Sequence, residues 1–187
     1  MSLPPREVPE GLTPDEYFTL GKHYKAIGWT EQARDALQFA MEQGANTTAG
    51  EEAARFLRTK IPKFPVPLYA EQRNIEGFNQ MNAGEVGTAK EIFEELIEEY
   101  PDFEWPYGNL SALLLQEGRT SEAIKLLDKA LAINSYYVNG WLRMATARGL
   151  MMDFNGAREC VDKALAADPN EIAALAMKEA LEKMRDL

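Results

Sequence analysis

Asp128-Lys129-Ala130-Leu131-Ala132 returns as Asp162-Lys163-Ala164-Leu165-Ala166, an interval of 34 residues. The correspondence reaches further: Tyr107 becomes Trp141, Leu110 becomes Met144, Ala123 becomes Ala157, Leu127 becomes Val161, and Asn134-Ser135 becomes Asp168-Pro169. Taken towards the N terminus, the same interval reaches Gly77, Gly84, Ala89, Phe93, Leu96 and Pro101. A fixed period of about 20–50 residues marks stacked repeats, in which each unit buries its apolar face only against its neighbours. Three consecutive units, 70–103, 104–137 and 138–171, therefore share one pattern.

A fourth unit, 14–47, lies upstream. Thr13 is suited to cap a helix, Pro14 fits its first position, and Asp15 and Glu16 suit the positive end of its dipole. Tyr17, Leu20, Gly21 and Tyr24 then follow at i, i+3, i+4 and i+7, which makes one packed helix face. Gly28-Trp29 turns the chain into a second helix containing Ala33 and Leu37. The interval from Ala33 to Ala89 exceeds the period by 22 residues. The excess predicts an inserted helix over about Thr48 to Lys60, followed by a connector through Pro62, Pro65 and Pro67, where no helix can continue. The insert and its connector occupy 48–69. Residues 1–13, with Pro4, Pro5, Pro9 and Gly11, read as a flexible leader. Residues 172–187 read as a capping helix with Ile172, Leu175, Met177, Ala180, Leu181 and Met184 among charged residues.

The first helix of unit 70–103 breaks the pattern, because its expected core positions hold Arg73, Glu76 and Gln80, and only Gly77 conforms. One reading rotates the helix so that Ile75, Phe78 and Met81 enter the core, and this is the one expected here. The other keeps the register and pairs Arg73 with Glu76 at i, i+3.

Tyr17-x-x-Leu20-Gly21-x-x-Tyr24 followed by Ala33-x-x-x-Leu37, together with the 34-residue period, resembles the tetratricopeptide repeat (TPR) family, whose motif has Trp-x-x-Leu-Gly-x-x-Tyr and Ala-x-x-x-Phe at these places. The resemblance implies an all-α fold, an α-solenoid of tandem helix hairpins wound as a right-handed superhelix, with the inserted helix and the C-terminal cap added. It also implies a concave groove lined by the first helix of each unit, and no catalytic activity. The residues placed to line that groove are Phe18 and Lys22, Asn74 and Phe78, Trp105 and Asn109, and Asn139 and Arg143. A chaperone-binding subfamily grips a C-terminal carboxylate with Lys and Asn in one repeat, Asn in the next, and Lys and Arg in the third. Laid on the last three units, Asn109 and Arg143 match. Asn74, Phe78 and Asn139 stand where Lys, Asn and Lys would be.

The remaining features bound the function. Net charge is −10, and the stretch Glu85–Glu104 alone carries eight acids against Lys90. Such a surface repels phosphate backbones, which argues against nucleic acid, and can steer a basic partner. It also reads simply as a solvated helix face. No apolar run is long enough to span a membrane, and the first residues lack a secretory h-region, so the expected location is cytoplasmic. Cys160, the single cysteine, reads as a small core residue; neither a disulfide nor a structural zinc site is expected. His23 is the single histidine, and no cluster has metal-ligand or nucleophile spacing, so neither a cofactor nor an enzyme is expected. Two functions remain: an adaptor that holds a peptide or helix of another protein in the groove, and a subunit or dedicated chaperone of a larger bacterial-type assembly or secretion complex. Self-association would favour the second.

Overall fold

A computed structural model describes residues 3–185, and Met1, Ser2, Asp186 and Leu187, which the leader and the capping segment include, lie outside the described residues. Among the described residues there are ten helices and no strand: α1 (Pro14–Ala26), α2 (Thr30–Gln43), α3 (Thr48–Lys60), α4 (Leu68–Asn82), α5 (Val86–Glu99), α6 (Glu104–Gln116), α7 (Thr120–Ile133), α8 (Val138–Leu150), α9 (Phe154–Ala167) and α10 (Ile172–Arg185). The chain forms two compact units that meet in sequence between Gln72 and Arg73.

In the first unit, α1 opens with a reciprocal cap. The Glu16 N–H donates to Thr13 Oγ1 at 3.4 Å, and the Thr13 N–H donates to Glu16 Oε2 at 2.8 Å. These bonds from Thr13 hold the Glu16 carboxyl below its ordinary range. Tyr17, Tyr24, Ala33, Leu37, Ala40, Ala53 and Ile61 form the core, so the inserted helix α3 packs as a third helix on the α1–α2 hairpin. Residues 3–13 differ from the expected flexible leader. The Tyr24 hydroxyl donates to Pro5 O at 2.7 Å and the Tyr17 hydroxyl to Pro9 O at 3.0 Å, and Pro4 is buried. Two core tyrosines whose hydroxyls need partners tie the segment across α1. At the other end, Glu71 is 4% exposed. It accepts from the Thr30 hydroxyl at 2.5 Å and lies 3.6 Å from Lys25 Nζ. Burial pushes the Lys25 ammonium down, and Glu71 opposes that shift.

The second unit stacks α5–α6, α6–α7, α7–α8, α8–α9 and α9–α10 in turn. Ala89, Ala123 and Ala157 are each at most 1% exposed, as the small residue of a tight helix crossing must be. Burying Phe93, which is fully covered, contributes roughly 1.5–3 kcal/mol. Gly84 and Gly118 turn between the paired helices with φ of +85° and +75°, and at the third such turn the residue is Met152, with φ of +62°. The left-handed region costs a side-chain-bearing residue energy that glycine avoids.

The rotation expected for α4 does not occur. Ile75 is 49% exposed and Phe78 40%, while Gly77 is buried. A Cβ on Gly77 would stand 2.7 Å from Phe93 Cε1 and 2.9 Å from Ile92 Cγ2, so α4 is pressed against α5 through this glycine in the regular register. Arg73 stays at its repeat position and pairs with Glu76 at 2.8 Å and Glu95 at 3.1 Å. Close approach at one glycine outweighs the burial of two apolar side chains elsewhere on the helix.

Candidate interaction face

The first helices of the second unit, the Arg73–Asn82 part of α4 with α6 and α8, are linked by a line of polar side chains. Asn109 Nδ2 donates to Asn74 Oδ1 at 3.0 Å, and Arg143 Nη2 donates to Asn109 Oδ1 at 3.1 Å. Arg143 Nη1 donates to the Tyr137 hydroxyl at 3.1 Å. Asn74 and Asn109 are 5% and 6% exposed, and Arg143 is half-buried. Burial pushes the Tyr137 phenol up, against a smaller opposing effect of Arg143. Below this line, the fully buried Glu104 accepts from Asn134 Nδ2 at 2.7 Å, and Asn134 Oδ1 accepts the Tyr136 N–H at 3.0 Å, which clasps the α7–α8 turn. Glu104 therefore belongs to the interior and not to an acidic surface stripe. The exposed acids of α5 are Glu91, Glu94, Glu95, Glu98 and Glu99.

The eight residues expected in the groove divide between the two units. In the first, the Phe18 ring meets Phe56 edge-on at 6.2 Å, and Lys22 Nζ lies 4.2 Å above the Phe18 ring. This places Phe18 at the contact between α1 and α3. In the second, Asn74, Asn109 and Arg143 are brought together, and Phe78 stays exposed one turn beyond Asn74. Trp105 packs on Phe103 with ring centres 5.5 Å apart, and Asn139 is exposed. Sequence reasoning missed Ile75 as a surface residue and Tyr137 as the partner that orients Arg143. The only sequence signal for Tyr137 was an aromatic in a turn otherwise marked by polar residues.

Among the described residues, no group of three or more His, Cys, Asp or Glu side chains is placed to hold a metal ion. Among the same described residues, no helix is long and apolar enough to cross a membrane.

The Tetratricopeptide repeat family model matches residues 80–135 and 114–181, which together span more than half of the chain. The chain belongs to the tetratricopeptide repeat family. Its solenoid of helix hairpins is that of the family, and the chain is accordingly a protein-interaction module. Among solved structures, the TPR2B domain of yeast Sti1, described in complex with an Hsp70 peptide, is 24% identical with a TM-score of 0.58, covering 64% of this chain and 98% of that one. The Sgt2 TPR domain from Aspergillus fumigatus is 22% identical with a TM-score of 0.59, covering 66% and 83%. The type III secretion translocator chaperone SycD of Yersinia enterocolitica is 16% identical with a TM-score of 0.58, covering 65% and 98%. At these identities the likeness concerns the fold. No curated protein matches the chain.

Proposed function

We propose that this tetratricopeptide repeat protein is a non-catalytic adaptor, which holds a peptide segment or helix of another protein on the face formed by α4, α6 and α8. The observation that carries this reading is the exposure of Ile75 and Phe78 on α4, with the half-buried Arg143 of α8 joined to that helix through Asn109 and Asn74. Large apolar side chains beside an ordered charge are the usual ingredients of a binding hot spot. The Sti1 TPR2B domain, described with an Hsp70 peptide, lends the reading a precedent in the same fold. Asn139 and Trp105 extend the same face, and Phe18 and Lys22 offer a smaller one in the first unit. A cytoplasmic location goes with this reading, as do the expectations of no cofactor, no nucleic acid and no membrane.

The test is capture of partner proteins by the full chain, compared with Phe78→Glu and Arg143→Glu. Either substitution should abolish capture while circular dichroism stays unchanged. Capture that is equal in all three proteins contradicts the reading.

A second reading, a subunit or dedicated chaperone of a larger bacterial-type assembly, is favoured by α10. Ile172 and Leu175 are 80% and 48% exposed on it, whereas Val138, one repeat earlier, is 3% exposed. Light scattering after gel filtration separates the two: a stable oligomer supports the assembly part, and a monomer supports the adaptor.

A further inference from the structure

The inserted connector does more than join α3 to α4. Together with the start of α2 it encloses a cavity of about 570 Å³ that lies wholly within the first unit. Cavities of roughly 300–1,000 Å³, apolar for the most part and with a few polar groups, are the usual size of a small-molecule site. The apolar lining here comes from Pro65, Val66, Pro67 and Leu68 on one segment and from Trp29 on the other. Trp29 is held in place by stacking on Tyr24, with ring centres 6.0 Å apart.

Glu71 also lines this cavity. At 4% exposure it is a buried carboxylate, and its two contacts, from the Thr30 hydroxyl and from Lys25 Nζ, are both made at Oε2. Among the described residues no side chain donates a hydrogen bond to Oε1. An ionised carboxylate has room for about four hydrogen bonds and can only accept them, and leaving a buried acceptor unmet is costly. Lys25 answers the charge only in part, because burial pushes its ammonium down while Glu71 opposes that shift. The rest of the lining does not cancel it either: Glu31 adds a second carboxylate, and Arg6 is the one base.

The structure assigns to this cavity a small organic cation, whose ammonium or guanidinium group donates to Glu71 Oε1 while its apolar body lies between Trp29 and the Val66–Leu68 segment. A water molecule could donate to Oε1 but would leave the apolar walls wet. A metal ion would find too few ligands, since no group of three or more His, Cys, Asp or Glu side chains is placed for one among the described residues. An anion would meet two carboxylates. The site shares no residue with the face formed by α4, α6 and α8 in the second unit, so it stands or falls independently of the adaptor reading.

The experiment follows amide NMR shifts of the isotopically labelled full chain as three probes of similar shape are added: phenethylamine, the neutral phenethyl alcohol and the anionic hydrocinnamate. Saturable shifts are expected at residues 29–32 and 65–71, with the amine bound roughly tenfold or more tightly than the alcohol, as a hydrogen bond to a charged partner implies. Glu71→Gln keeps a partner for the Thr30 hydroxyl and should erase the preference for the amine while the alcohol still binds. Val66→Trp leaves the Glu71 contacts untouched, fills the cavity and should weaken the amine and the alcohol alike, which keeps the test decisive if Glu71→Gln fails to fold. No saturable shift at millimolar probe, shifts centred elsewhere, equal or tighter binding of the alcohol or the anion, or amine binding indifferent to the substitutions would each overturn the assignment.

Discussion

Arg143 Nη2 donates to Asn109 Oδ1 at 3.1 Å across an interval of 34 residues, so one period of the sequence is also one step of the structure. Asn109 passes the contact on to Asn74 in the preceding unit. A polar chain that bonds residues of adjacent repeats aligns their first helices and presents Arg143 at a fixed place.

Asn109 is the joint of that chain. In Asn109→Ala, the Asn74 side chain keeps its burial and loses its donor, and Arg143 loses an acceptor. An unpaired buried polar group costs about 1–3 kcal/mol, and chemical denaturation should show a loss of that size. Asn139→Ala, at an exposed position, should change stability by less than about 0.5 kcal/mol.

Met152 occupies a backbone conformation that glycine holds in the preceding two turns. Met152→Gly relieves the strain at the expense of unfolded-state entropy, and a net gain of about 1 kcal/mol is expected in a thermal or urea unfolding measurement. Gly118→Ala should move stability by a similar amount in the opposite direction.

Gly50 on α3 lies against the backbone of Gly44, at the end of α2, and a Cβ there would overlap the Gly44 carbonyl. Backbone cannot yield as a side-chain tip does. Gly50→Ala should therefore cost about 3 kcal/mol, and hydrogen exchange should place the loss in α1 to α3.

Burial pushes the Cys160 thiol up, with Lys163 and Arg148 opposing in smaller measure. A folded pKa above the unfolded one means that the native chain holds the proton longer. The contribution is complete below the unfolded value, about 8.5, and is lost as pH rises through the folded value. Denaturation midpoints should fall above about pH 9, and this part of the fall should be missing in Cys160→Ala.

The periodicity carried most of the fold. Interval, turn glycines and small residues at helix crossings are local marks, and the helices stand within a few residues of where those marks put them. The α4 face was misread because the preference for burying Ile75 and Phe78 is visible in a sequence, whereas the contact of Gly77 with Phe93 is not. The leader was misread for a related reason, since nothing in its prolines reveals that their carbonyls serve Tyr17 and Tyr24. In the candidate site, the positions of Asn109 and Arg143 were legible from the register. Their bonds to Asn74 and Tyr137 were not, because these depend on side-chain reach between neighbouring helices.

Hydrogen–deuterium exchange of the full chain, with and without a bound partner segment, tests the central claim most directly. The account predicts added protection in residues 73–82, 104–116 and 138–150, the second unit's first helices. Protection confined to α5, or to α10 alone, would contradict it.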